Sequence, residues 1–207
     1  MASVAVRRKR APGQRPRRGA PRMLASGRVS AAVKTIAEPS GTARFAAGKA
    51  LAVTAAKDPR RVYPHFEAIA ALLARDSKIV RWNALQIIAA LAPADTAHKI
   101  DGLLDGYLAF IRGGNLISAA NAIQGAGRIA SCRPDLREKI LPALLAVEQA
   151  TYETPECRNV AIGQVLAALE ELGPGACQRP EVTAFIRRQL ANRRAAVARR
   201  AARMIAG

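Results

Sequence analysis

Apolar residues along most of this chain recur every three to four positions, as in Val80, Ala84, Ile87, Ile88 and Leu91, or Ala161, Val165, Ala168, Leu169 and Leu172. This spacing puts them on one face of an α-helix and predicts amphipathic helices rather than strands. Such segments begin near Ala43, Val80, Ser118, Cys157 and Val197. Four are preceded by another amphipathic stretch, over residues 62–73, 100–111, 136–147 and 182–190, and an N-terminal pair spans 28–37 and 42–56. Breaker-rich connections such as Ala92-Pro93-Ala94-Asp95, Gly113-Gly114-Asn115, Cys132-Arg133-Pro134-Asp135 and Gly173-Pro174-Gly175 stop the helices between pairs.

Self-comparison turns this alternation into a repeat. Ala43-Arg44-Phe45-Ala46-Ala47 aligns with Val80-Arg81-Trp82-Asn83-Ala84 at an offset of 37, and copies follow at Ser118, Cys157 and Val197 after 38, 39 and 40 residues. Ala stands at the fifth place of all five. A period near 40 with two helices each predicts antiparallel pairs stacked side by side, every pair burying its apolar face against its neighbours.

Residues 63–91 resemble a HEAT repeat, carried by Pro64, Leu72, Leu73, Asp76, Val80, Arg81, Ala84 and Leu91; Ile140 to Leu145 with Arg158 and Ala161 is the next match. The resemblance covers roughly residues 42–207 and implies an all-α, right-handed α-solenoid of about five antiparallel helix pairs. The place held by Arg44, Arg81 and Arg158 is Ala119 and Ala198 in the other copies, so a family-like Asp-Arg ladder is incomplete and stacking relies on apolar burial.

The chain has 207 residues and a formal charge of +18, and the distribution of that charge matters more than its sum. Residues 1–28 carry nine Lys/Arg and no acid, residues 59–178 are balanced, and seven arginines follow Glu181 without an acid. Like charge with Pro12, Gly13, Pro16, Gly19 and Pro21 makes 1–28 an expected disordered basic arm, a phosphate-contacting or solubilising segment, ahead of a repeat domain over 29–207. Arg81, Lys99, Arg112 and Arg128 break every apolar run before the 18 to 20 or so residues that span a bilayer. No membrane insertion is expected. Three widely spaced cysteines, Cys132, Cys157 and Cys177, read as reduced, buried thiols of a cytoplasmic protein rather than zinc ligands.

Catalytic patterns fail one by one. The stretch from Gly41 to Lys49 has the wrong spacing for a phosphate loop, and Gly125-Ala126-Gly127 lacks the third glycine of a dinucleotide fingerprint and suits close helix packing instead. His65 and His98 have no orienting partner in sequence, and Asp101, Asp105, Glu170 and Glu171 read as surface charge. No cofactor and no metal is expected. HEAT-like alkylpurine DNA glycosylases offer one enzymatic alternative through Phe45 and Trp82, though no acid stands beside them. The preferred expectation is a non-catalytic scaffold whose concave face binds a protein partner.

That face is expected on the second helices, off the core stripe, at Phe45, Lys49, Trp82, Asn83, Gln86, Asn121, Gln124 and Asn159. The C-terminal Arg193, Arg194, Arg199, Arg200 and Arg203 form a basic amphipathic helix for phosphate or acidic-partner contact, or the polar face of a capping repeat. Nucleic-acid binding through the two basic ends is the alternative function.

Overall fold

The computed structural model describes residues 22–38 and 40–206, so the basic arm lies outside it up to residue 21, while residues 26–28 already belong to the first helix. The described chain is all-α. Its helices are α1 (Ser26–Ala37), α2 (Ala43–Lys57), α3 (Pro59–Val62), α4 (Phe66–Ala70), α5 (Lys78–Leu91), α6 (Lys99–Ala109), α7 (Leu116–Cys132), α8 (Arg137–Leu145), α9 (Pro155–Leu172), α10 (Pro174–Cys177), α11 (Pro180–Arg188) and α12 (Ala195–Ala206). None is long and apolar enough to cross a membrane.

The segments expected as second helices fold as expected. Local chemistry explains their ends: Asn115 and Thr154 accept backbone N–H bonds from Ser118 and Cys157 at the starts of α7 and α9, and Gly173 takes φ +85° where α9 stops. The intervening segments are less regular. Residues 62–73, expected as one helix, break into α3, a 3-10 turn at Tyr63–His65, α4 and another at Ala71–Ala74. Pro64 supplies the reason, since it removes a backbone donor early in the segment. A two-residue parallel pairing of Gly113–Gly114 with Thr151–Tyr152, not foreseen from sequence, links two inter-helix turns. There Gly113 has φ +145°, and a Cβ would collide with the Thr151 carbonyl.

Packing follows a row: α2 lies on α5, α5 on α7, α7 on α9 and α9 on α12, with α1 against α2. Burial tracks position in this row. In α5, flanked by α2, α7 and α4, nine residues are buried, whereas α12 at the end buries only Val197 and Ala201. One apolar cluster runs continuously from Val29 to Ala201. Small residues let the helices approach: Gly127 faces Ala168, and Gly125 sits under the Tyr107 hydroxyl, as the helix-packing reading of these glycines anticipates. Tyr107 is fully buried and donates to the Leu85 carbonyl at 2.9 Å, and burial holds its pKa well above the usual tyrosine range.

Candidate functional site

Across the row of α2, α5, α7 and α9 runs an open groove of about 600 Å³. Its floor is Ala52, Ala56, Ala89, Ala90, Gly125 and Gly127, so the backbones lie close to whatever enters. Its polar lining includes Gln86, Asn121 and Gln124, three of the residues expected to bind, together with Arg128, Ser131 and Glu171. Gln86 donates to the Asn121 side-chain oxygen at 2.6 Å, and Asn121 in turn donates to the Ile117 carbonyl at 2.8 Å. This ladder fixes the amides of α5 and α7 against each other and leaves both side chains partly open to ligand.

Two large apolar residues share this stripe. Ile79 and Ile117 are 42% and 50% exposed; they stand seven residues before Gln86 and Gln124, two helical turns away on the same face. Sequence reasoning missed them, although the repeat offset that pairs Gln86 with Gln124 pairs them too.

The remaining expected residues scatter. Trp82 is half-buried, its indole N–H donating to the buried Ser118 hydroxyl at 2.9 Å, so it ties α5 to α7. Asn83 does not line the groove: it is buried against Gly48 and donates to the Ile79 carbonyl, because the glycine of α2 leaves room for it. Phe45 is half-buried with the Arg44 guanidinium 4.9 Å above its ring, and Lys49 is exposed; neither lines the groove. Asn159 donates to Glu156.

A second groove, of about 370 Å³, lies between α9 and α12 and is lined by Gly163, Gln164, Arg194, Arg199, Arg200 and Arg203 among others. By the repeat offsets Gly163 and Arg203 are the counterparts of Gln86 and Gln124, so this groove occupies the same stripe further along the row. Arg194 is ion-paired with Glu156, and Arg200 contacts both Glu170, at 3.3 Å, and the Gly163 carbonyl, at 3.1 Å. Arg193, Arg199 and Arg203 are exposed, with no carboxylate partner among the described residues.

Comparison of the sequence with protein-family models and with curated proteins returns no match.

The densest polar cluster lies elsewhere, at the turns. Arg133 is buried and reaches Asp95 at 2.9 Å, Asp101 at 2.8 Å, Asp135 at 2.6 Å and the His98 imidazole at 2.7 Å. Asp95, itself buried, also accepts from the Tyr63 hydroxyl and from the backbone N–H groups of Lys99 and Ile100, which caps α6. His98, Asp101 and Asp135 converge closely enough to hold a cation, but the Arg133 guanidinium contacts all three and supplies that charge. Asp101 is thus part of a tie between turns, not the ordinary surface charge expected, because the start of α6 lies beside the turn after α7 that carries Arg133.

The thiols also differ from expectation. All three are free, but Cys132 is exposed at the groove edge and only Cys157 and Cys177 are partly covered. Position explains this: Cys132 is the last residue of α7, beyond the packed stripe.

Arginine contacts set the acid response. The Asp135, Glu138 and Glu181 carboxyls are held below the ordinary range, Asp135 by Arg133 and Glu138 by Arg179, and Glu181 by its own backbone N–H and then Arg179. A carboxylate depressed in the folded state stabilises above its unfolded pKa and loses that contribution as pH falls through its folded value. The urea midpoint is therefore expected to be flat from about pH 7 to 5 and to fall below about pH 4, modestly because these groups are exposed. A midpoint that rises on acidification would contradict this.

Proposed function

We propose that this chain is a non-catalytic, HEAT-like helical-repeat scaffold, a right-handed solenoid of about five antiparallel helix pairs, that holds a protein partner in the groove across α2, α5, α7 and α9. The observation that carries the reading is that Gln86, Asn121 and Gln124 line a groove floored by Ala and Gly, while exposed Ile79 and Ile117 stand two helical turns before Gln86 and Gln124 on successive helices. Exposed aliphatics give a partner apolar anchors, and amides give its main chain donors and acceptors. The ionisable residues that converge most tightly are engaged in joining turns, which supports a binding role over a catalytic one. A cytoplasmic setting belongs to the same proposal.

Nucleic acid is the weaker reading. It has the arginines of α12 in its favour, but Glu156, Glu170 and Glu171 of α9 interrupt the basic surface, and a uniformly charged backbone would meet them. The aromatic rings are also poorly placed to stack on bases, since Trp82 is tied to Ser118 and Phe45 is covered on one face by Arg44.

A pull-down from nuclease-treated lysate tests the proposal. The native chain is expected to retain a defined protein, and Ile117→Arg to weaken retention by roughly thirtyfold or more, the loss of an interface anchor. Ile117 is exposed, so the variant keeps its helicity by circular dichroism. Retention indifferent to Ile117→Arg, or lost with the nuclease, would remove this reading.

A further inference from the structure

The two grooves occupy one stripe of the helix row but differ in chemistry, and that difference specifies a ligand. Over α5 and α7 the surface is aliphatic and amide: Ile79, Ile117, Gln86, Asn121 and Gln124. Over α9 and α12 it is cationic, with Arg199 and Arg203 lining the groove and free of carboxylate partners among the described residues. Glu156 and Glu170 already engage Arg194 and Arg200, which positions those two side chains at the groove instead of leaving them mobile.

Charge across the fold points the same way. The five helices of the row carry ten Lys/Arg and three acids, Glu156, Glu170 and Glu171. The other described segments are nearer balance, with sixteen Lys/Arg and twelve acids: Arg179 pairs with Glu138 and Glu181, Arg188 with Glu148, and Arg133 with its three aspartates, while Arg60, Arg112, Arg187 and Arg193 have no carboxylate partner among the described residues. Net positive charge is therefore greatest along the row, and at its α12 end the exposed Arg199 and Arg203 have no carboxylate partner among the described residues, so charge complementarity there selects an anionic ligand.

We propose that the occupant is an extended acidic peptide segment, its aliphatic half over α5 and α7 and its Asp/Glu half over Arg199 and Arg203. This rests on the protein-binding reading above and names the chemistry of the partner. Length is consistent. From α5 to α12 is three helix-to-helix steps, about 24–30 Å at ordinary spacing, which an extended chain of about eight residues crosses. Glu170 and Glu171 between the two halves favour a peptide over a polyphosphate chain, because a peptide can place neutral or basic residues opposite them. Carboxylates gain bidentate geometry at arginine, which lysine would not offer.

Selection of a random twelve-residue peptide library on the full chain, followed by fluorescence anisotropy of the enriched peptides, tests this. Enriched peptides are expected to join aliphatic residues to a cluster of Asp/Glu. The exposed double variant Arg199→Ala/Arg203→Ala should weaken them roughly tenfold, and Arg199→Glu/Arg203→Glu should turn the selection toward Lys/Arg. Enriched peptides without acidic bias that still depend on Ile117 would overturn the charge assignment while leaving the protein-binding reading standing. Acidic peptides held equally by all variants would also overturn it, as would preference for a single-stranded oligonucleotide over every enriched peptide. No peptide enriched above an Ile117→Arg control would sink both proposals.

Discussion

Arg133→Met is expected to lower the unfolding free energy by about 3–5 kcal/mol, the cost of leaving one member of a buried pair without its counter-charge. Asp95 is the reason. Its carboxylate has no exposed surface, and Arg133 is its only cationic partner among the described residues; Tyr63 and two backbone N–H groups remain but carry no charge. A domain of this kind holds only about 5–15 kcal/mol in total, so the loss should be visible as a much lower urea midpoint. Arg133→Lys should fall in between, since a single ammonium cannot contact Asp95, Asp101, Asp135 and His98 from one planar fork. Adding Asp95→Asn to Arg133→Met should recover part of the loss and give a coupling of at least about 1 kcal/mol in a double-mutant cycle. A cost under about 1 kcal/mol for the single variant would mean that the turns hold together without this contact.

Gly125→Ala is expected to cost about 2–6 kcal/mol although it adds one methyl group to a helix. The new Cβ would collide with the Tyr107 hydroxyl, which is buried and bonded to the Leu85 carbonyl. Moving that hydroxyl strands a buried donor, at about 1–3 kcal/mol, and overpacks the contact with Ala89, at about 1–3 more. Tyr107→Phe alone removes the oxygen that collides and should cost only about 1 kcal/mol, because the Leu85 carbonyl lies in the middle of α5, within the helix's own hydrogen-bond ladder. The double variant should then be more stable than the sum of the two singles predicts. Strict additivity, measured by thermal melts of all four proteins, would show that Gly125 is small for another reason, such as access to the groove it lines.

The long helices were legible because their evidence is local. Val80, Ala84, Ile88 and Leu91 fall on one face whatever surrounds them, and Gly or Pro in the connections stops the chain wherever they occur. The intervening segments were less so: Pro64 announces a break in residues 62–73, but the 3-10 turn at Ala71–Ala74 depends on how that segment meets α5. The groove was legible in part. Gln86, Asn121 and Gln124 were found through the offset between copies, while Asn83, one position from the core stripe, went to a space that Gly48 left open on a different helix.

By itself the sequence determined an all-α chain with a period near 40 residues and unbalanced basic charge at its ends, since hydrophobic spacing, breakers and charge are properties of neighbours along the chain. It also set the scale of the contacts between copies: Trp82 meets Ser118 36 residues on, Asp95 meets Arg133 38 on, and Glu148 meets Arg188 40 on. Tertiary structure alone decided which residues at that distance meet, which arginines are neutralised and which stay open, and that two exposed isoleucines border the amides. Those outcomes depend on the register and closeness of packed helices, which small residues such as Gly48, Gly125 and Gly127 allow without specifying what fills the space beside them.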